Sequence, residues 1–140
     1  MTATHLFDTS AVIAFQRGTP LDELEDVSWV VSAMTIAELN IGVLRSLSAA
    51  EHQGRLRLFE EVNARPALAF DRTVARTYAE LMAWASSIGS RPSKPDAIIA
   101  ATAATSGLTL VTFDQGFRAI GDFDGLDVLV FDNPESPRIS

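Results

Sequence analysis

The chain has 140 residues, of which 47% are apolar and 21% are charged, and these values predict one compact domain. It contains no cysteine, which excludes disulfides, thiolate nucleophiles and cysteine-ligated metal centres. Its net charge of −7 has the wrong sign for holding nucleic acid by overall attraction, so any nucleic-acid binding must be local or assisted by a metal ion.

The start of the chain, residues 1–5, lacks the basic and then apolar layout of a secretory signal, and we expect a cytoplasmic protein without a membrane anchor. The longest uncharged run, Ala97 to Phe113, is interrupted by Ser106 and Gly107. It is also shorter than the ~20 apolar residues that a spanning helix needs. We therefore predict that it forms a buried helix, a turn and a buried strand.

Five short apolar runs predict β-strands, and helical patterns lie between them. The predicted strands are residues 5–7, 28–32, 67–70, 108–111 and 128–131, and the predicted helices are residues 9–16, 36–47, 49–64, 72–88 and 96–105. This alternation predicts an α/β fold with a mostly parallel, roughly five-stranded sheet and helices on both faces. We expect the domain to span residues 1–132, with a loose tail over residues 133–140.

Acidic residues lie where predicted strands end or predicted helices begin. Asp8 follows the first strand, Asp71 the third, and Asp114 comes just past the fourth. Taken singly, each is explained as a helix N-cap. Two further acids belong to patterns typical of capping boxes, Thr35 with Glu38 and Ser93 with Asp96.

Taken together, Asp8, Glu38, Asp96 and Asp114 are expected to converge on the carboxyl edge of the sheet, where open α/β sheets bind ligands. Closely packed carboxylates repel one another, so such a group indicates a bound cation. Oxygen ligands without cysteine favour Mg²⁺, or Mn²⁺, over zinc. A carboxylate site with one or two such ions activates water and hydrolyses phosphodiester bonds.

Four further polar residues flank this group. Ser10 and Thr112 are placed to orient carboxylates or to contact a phosphate, although capping of helix amides is an equally ordinary role for such hydroxyls. Arg91 and Lys94 lie beside Asp96 and are either phosphate contacts or solvated loop cations.

Four ordered segments resemble the PIN-domain ribonucleases, and within them the VapC-type toxins of VapBC toxin–antitoxin systems. The segments are Phe7 to Ile13, which contains Asp8-Thr9-Ser10, then Thr35 to Leu39, Pro95 to Ala103, and Leu110 to Asp114. Their order and spacing both fit the family, and together they extend along nearly the whole chain.

The resemblance implies a PIN-like α/β/α fold and Mg²⁺-dependent endoribonuclease activity. It assigns the acidic metal-site positions to Asp8, Glu38, Asp96 and Asp114. It also implies a homodimer and neutralisation by a small cognate VapB-type antitoxin.

Many family members carry an acid two or three residues after a Thr-Arg-Asn or Thr-Arg-Asp motif, which this chain lacks. Asp122 is therefore an alternative fourth acid, but Asp114 is preferred because it directly follows a strand.

Two other interpretations remain open from the sequence. A phosphoacceptor receiver domain would use Asp71 after the third strand and Thr112 after the fourth, but it also needs a lysine after the fifth, and the only lysine is Lys94. The second alternative is a catalytically inactive PIN-like domain that binds RNA or protein. Because all four acidic positions are filled, catalysis is the more economical interpretation.

Overall fold

The computed structural model describes residues 2–132 of the chain, so the tail predicted for residues 133–140 lies outside the described part. The strands are β1 (His5–Phe7), β2 (Trp29–Ser32), β3 (Ala67–Leu68), β4 (Thr109–Thr112) and β5 (Asp127–Val130). The helices are α1 (Thr9–Gln16), α2 (Ala33–Leu44), α3 (Ala49–Asn63), α4 (Arg72–Ser87) and α5 (Lys94–Ser106). Two short 3₁₀ segments, Asp22–Leu24 and Gln115–Ile120, precede β2 and β5.

The strands form one sheet in the order β3-β2-β1-β4-β5, and every neighbouring pair is parallel. The chain moves outward from β1 to β3 and then returns to place β4 on the other side of β1. This reversal puts the topological switch point, where such sheets bind ligands, between β1 and β4. Phe7 pairs with Val111 in register, so Asp8 and Thr112 leave the sheet side by side.

Helices cover both faces of the sheet, which confirms the predicted three-layer α/β/α fold. Successive side chains of a strand point to opposite faces. Leu6 and Leu110 therefore pack with α4 and α5 in one core cluster. Their neighbours Phe7 and Val111 pack with α1, α2 and α3 in the other. Burial on both faces explains why the strands are almost continuously apolar.

The second helix begins three residues earlier than predicted. Ser32 Oγ accepts a hydrogen bond from the Met34 amide at 3.0 Å and caps α2, so Thr35 lies inside the helix and is fully buried. The capping box expected from Thr35 and Glu38 is therefore wrong. The helix also ends earlier, at Leu44, because the chain turns before Ser48, which caps α3.

The uncharged run from Ala97 to Phe113 folds as predicted into a buried helix, a turn and a buried strand. The turn between α5 and β4 is made by Gly107 at a left-handed φ of 66°, a conformation that glycine adopts without steric cost. Among residues 2–132, no helix is both long enough and apolar enough to span a membrane.

Candidate active site

Asp8 lies directly after β1, at the switch point, with only 4% of its surface exposed. Its Oδ1 accepts hydrogen bonds from Ser10 Oγ at 2.7 Å and from the Ala11 amide at 2.9 Å, which caps α1. Its Oδ2 accepts a hydrogen bond from Thr112 Oγ1. A carboxylate offers about four acceptor positions, so these three donors fix the group and leave Oδ2 able to bind one more partner.

The two hydroxyls tie Asp8 to the segment that follows β4. Ser10 Oγ accepts a hydrogen bond from the Phe113 amide at 2.9 Å, in addition to donating to Asp8. Thr112 Oγ1 accepts one from the Asp114 amide, also at 2.9 Å, and is fully buried. Ser10 and Thr112 therefore hold the ends of β1 and β4 in a fixed relation to each other.

Asp114 and Asp96 face a common space beside Asp8. Both line a cavity of about 290 Å³ between the start of α5 and the 3₁₀ segment Gln115–Ile120. Asp114 Oδ1 accepts a hydrogen bond from the Gly116 amide at 2.8 Å, and a Cβ atom at Gly116 would lie only 3.1 Å from the same oxygen. Asp96 lies in the first turn of α5, where Ser93 Oγ accepts its amide hydrogen bond at 3.2 Å.

Burial and the charges of neighbouring acids raise the pKa of Asp8 and of Asp96. The pKa of Asp8 is raised from its usual 3.8 to about 6: burial is the largest cause, the hydrogen bonds from Thr112, Ser10 and Ala11 oppose the rise, and the negative charge of Asp96 adds to it. Burial also raises the pKa of Asp96, and the charge of Asp114 acts in the same direction. Asp96 therefore lies close enough to interact electrostatically with both Asp8 and Asp114.

No basic side chain neutralises these acids within the described range. The one ion pair of residues 2–132 joins Arg55 to Glu51 at 2.6 Å along α3, away from the switch point. The negative charge of Asp8, Asp96 and Asp114 is thus left uncompensated by the protein in this region.

Glu38 is bound by Thr9, the residue after Asp8, to which sequence reasoning gave no role. Thr9 Oγ1 donates a hydrogen bond to Glu38 Oε1 at 2.7 Å and lies 3.3 Å from Thr35 Oγ1, which joins the first turn of α1 to α2. The available signal was the position of Thr9 between Asp8 and Ser10.

The alternative fourth acid, Asp122, lies instead in the turn that leads into the amino end of β5, at the opposite edge of the sheet.

The donors fit a hard divalent cation, although they do not form a closed cage. Within residues 2–132, no three Asp, Glu or His side chains lie close enough together to enclose a metal ion. Mg²⁺ usually keeps several waters and is held by one or two protein carboxylates together with substrate phosphates. Uncompensated carboxylates, with one acceptor position left on Asp8 Oδ2, suit that kind of binding, and oxygen donors favour Mg²⁺ or Mn²⁺.

The topology excludes the receiver-domain interpretation. Receiver domains order their strands 2-1-3-4-5, which places the third strand beside the first. Here β3 is an edge strand separated from β1 by β2. Asp71 caps α4 by accepting the Val74 amide at 3.0 Å, as expected for its structural role.

Comparison with known proteins identifies related chains along nearly the whole length. The family model of the PIN domain matches residues 6–122. Ribonuclease VapC5 of Mycobacterium tuberculosis is 32% identical over 128 residues, which cover 91% of this chain and 95% of that protein. Toxin FitB of Neisseria gonorrhoeae is 36% identical over 115 residues, covering 79% of this chain and 77% of that protein. The crystal structure of VapBC-5, a member of the VapBC family of toxin–antitoxin systems from M. tuberculosis, aligns with a TM-score of 0.83 at 30% identity and covers 93% of this chain and 100% of that one.

Proposed function

The chain belongs to the PIN-domain family, and we propose that it is a divalent-metal-dependent endoribonuclease that acts as the VapC-type toxin of a toxin–antitoxin pair. The observation that carries the proposal is the uncompensated group formed by Asp8, Asp96 and Asp114 at the switch point of the sheet. Carboxylates in that arrangement need a cation, and RNA is the substrate implied by the name of a relative that covers most of the chain.

In this proposal Asp8 and Asp96 are the principal ligands of Mg²⁺ or Mn²⁺, and Asp114 and Glu38 complete the acidic site. Such a cation, when bound, neutralises the scissile phosphate and lowers the pKa of attacking water. Asp8 is the rigid anchor, since Ser10, Ala11 and Thr112 fix both of its oxygens.

Glu38 and Asp114 are the adjustable members of the site. Glu38 accepts the Thr9 hydroxyl through Oε1, which leaves Oε2 free of that hydrogen bond. Asp114 is exposed, lines the cavity and accepts the Gly116 amide through Oδ1, which leaves Oδ2 free of that hydrogen bond. We propose that these two acids orient the attacking water and receive its proton, because Asp8 has little freedom to move.

A catalytically inactive domain that binds RNA or protein accounts for the buried carboxylate less well than a nuclease does. A domain that only binds RNA or protein gains nothing from holding Asp8 buried with its pKa raised to about 6. Retaining that unfavourable group together with three further acids is expected only if the charge is used. Buried carboxylates of this kind are typical of functional sites.

The test is cleavage of total RNA by the purified, partner-free protein with Mg²⁺, with Mn²⁺ and with EDTA. Asp8→Asn and Asp96→Asn remove one ligand charge each and nearly preserve shape. Asp124→Asn, an exposed acid in the turn before β5, is the matched control for a lost charge. We expect discrete fragments from the wild type and the control in the presence of metal, and none with EDTA or with either site variant. RNA left intact by the wild type with both metals would refute the catalytic proposal.

We also propose a homodimer and a small cognate VapB-type antitoxin as partners. The VapBC-5 structure belongs to a family of toxin–antitoxin systems, which supports the second partner. Leu44, the last residue of α2, and Leu47, which follows the helix, are 76% and 92% exposed, and large exposed apolar side chains of this kind are typical of contact surfaces. Light scattering of the chain alone and with the antitoxin measures both assemblies. Leu44→Ser with Leu47→Ser should keep the fold and weaken at least one of them.

A further inference from the structure

The cavity beside Asp96 and Asp114 extends beyond the acidic site. It lies between the loop that joins α4 to α5 and the 3₁₀ segment Gln115–Ile120, and its volume is about 290 Å³. Small-molecule sites usually measure roughly 300–1,000 Å³, so this space matches one nucleotide and not a longer stretch of chain. The two acids form only one of its walls.

The lining of the cavity also includes a cation. Arg91 is the only lysine or arginine among the residues that line the cavity, and within residues 2–132 its guanidinium forms no ion pair. Arg118, on the neighbouring 3₁₀ segment, is already engaged, since its Nε donates to Gln115 Oε1 at 2.7 Å. A guanidinium matches the geometry of phosphate and binds it through two parallel hydrogen bonds. The same cavity is therefore lined by an unengaged phosphate-binding group and by two proposed metal ligands.

The floor of the cavity is apolar. Phe117 and Ile120 are 2% and 1% exposed and belong to the core cluster beneath α4 and α5. Pro92 and Ala119 stand at the rim. A nucleobase or ribose presents apolar faces to such a surface. A metal ion or an inorganic phosphate alone would leave the apolar surface exposed to water. Arginine with an apolar wall thus suits a nucleotide better than a simple anion.

We propose that this cavity binds the RNA nucleotide adjacent to the scissile phosphate, with Arg91 holding its phosphate and Pro92 and Ala119 packing against its base or sugar. The inference rests on the proposed function, because the scissile phosphate is taken to lie at Asp96 and Asp114. It explains how a chain with a net charge of −7 retains RNA, since a local cation supplies the attraction that the whole molecule lacks.

The first test measures RNA cleavage kinetics for Arg91→Gln and Arg91→Lys. Arg17→Gln is the matched control, because Arg17 is an exposed arginine that ends α1 at the opposite edge of the sheet. We expect Arg91→Gln to raise KM roughly tenfold and to leave kcat within about twofold, as fits the loss of one charge-assisted contact. Arg91→Lys should recover part of the loss, and Arg17→Gln should match the wild type.

The second test measures binding of a short single-stranded oligoribonucleotide by fluorescence anisotropy in Ca²⁺ at several salt concentrations. Loss of one phosphate contact should reduce the slope of log K against log[salt] by about 0.7 in Arg91→Gln and not in Arg17→Gln. Ala119→Leu fills the cavity without altering charge and should also weaken binding severalfold. Ala50→Leu, an exposed residue of α3 on the other face of the sheet, is its control.

The outcomes separate this inference from the proposed function. Wild-type cleavage with unchanged KM and affinity in both Arg91→Gln and Ala119→Leu would overturn the nucleotide site and leave the nuclease standing. A fall in kcat without a change in KM or affinity in Arg91→Gln would likewise overturn it, because Arg91 would then act on the reaction and not on binding. Binding that depends on Arg91 in a wild type that cleaves no RNA would support the nucleotide site while refuting the nuclease.

Discussion

Asp8 is a buried carboxylate whose charged form the fold disfavours. Burial raises its pKa to about 6 in the folded protein, against 3.8 when exposed. Because the folded pKa is the higher one, the group contributes full stability below about pH 4 and loses that contribution as the pH rises through 6. This rise in the pKa of Asp8 corresponds to about 3 kcal/mol at neutral pH. The sequence predicts Asp8 as a site residue, but its depth of burial depends on packing that no local pattern reveals.

We predict that Asp8→Asn stabilises the metal-free protein at neutral pH while abolishing cleavage. The amide keeps the size of the carboxylate and carries no charge, so the free energy of unfolding should exceed that of the wild type by up to about 3 kcal/mol at pH 7.5. The difference should vanish near pH 4. Urea unfolding in EDTA across this pH range measures it, and parallel pH profiles for the two proteins would contradict the expectation.

Thr112 is predicted to act on catalysis through Asp8. Thr112→Val removes the hydroxyl that donates to Asp8 and accepts from the Asp114 amide, so kcat should fall at least tenfold and the unfolding free energy by about 1–3 kcal/mol. Thr112→Ser keeps both hydrogen bonds and should restore most of kcat.

The control for this change is Thr102→Val. Thr102 is also fully buried, and its hydroxyl donates to the Ile98 carbonyl at 2.7 Å within α5, without contact to the site. It should lose comparable stability and keep its kcat. An equal fall of kcat in both valine variants would mean that Thr112 matters only for the fold.

At the scale of elements, apolar spacing predicted which segments form helices and strands, because both faces of the sheet are buried and each helix needs an apolar face. The start of α2 was less predictable, since Ser32 and Thr35 are both good caps and only tertiary packing decides between them. The contact between α1 and α2 was not predictable at all. It depends on the hydrogen bond from Thr9 to Glu38, and these residues are far apart in the sequence.

This contact yields a prediction about coupled positions. Thr9→Val leaves Glu38 Oε1 without its donor, so kcat should fall severalfold, while Thr9→Ser should behave like the wild type. Because Thr9 acts through Glu38, the double variant Thr9→Val with Glu38→Gln should be no worse than Glu38→Gln alone. Kinetics of the four proteins at saturating RNA measure the coupling. If the fall of kcat in the double variant instead equals the product of the falls in the two single variants, Thr9 does not position Glu38.

At the scale of the whole molecule, the fold gathers negative charge at one edge of the sheet. The parallel topology brings the ends of β1 and β4 together, which sets Asp8 beside Thr112, and α5 then presents Asp96 to both Asp8 and Asp114. The sequence predicted this convergence because parallel strands share one carboxyl edge. It did not predict that these acids would form no ion pair within the described part of the chain, which supports the proposed binding of a cation.

A cation that binds the folded protein and not the unfolded chain must raise its stability. At a Mg²⁺ concentration 100-fold above the dissociation constant, the gain is about 2.7 kcal/mol, or several degrees in Tm. We expect this gain in the wild type and in Asp124→Asn, relative to NaCl of equal ionic strength, and its loss in Asp96→Asn. Thermal unfolding measures it without RNA, so it tests the metal site independently of cleavage. If Mg²⁺ stabilises Asp96→Asn as much as it stabilises the wild type, the cation does not bind at Asp96.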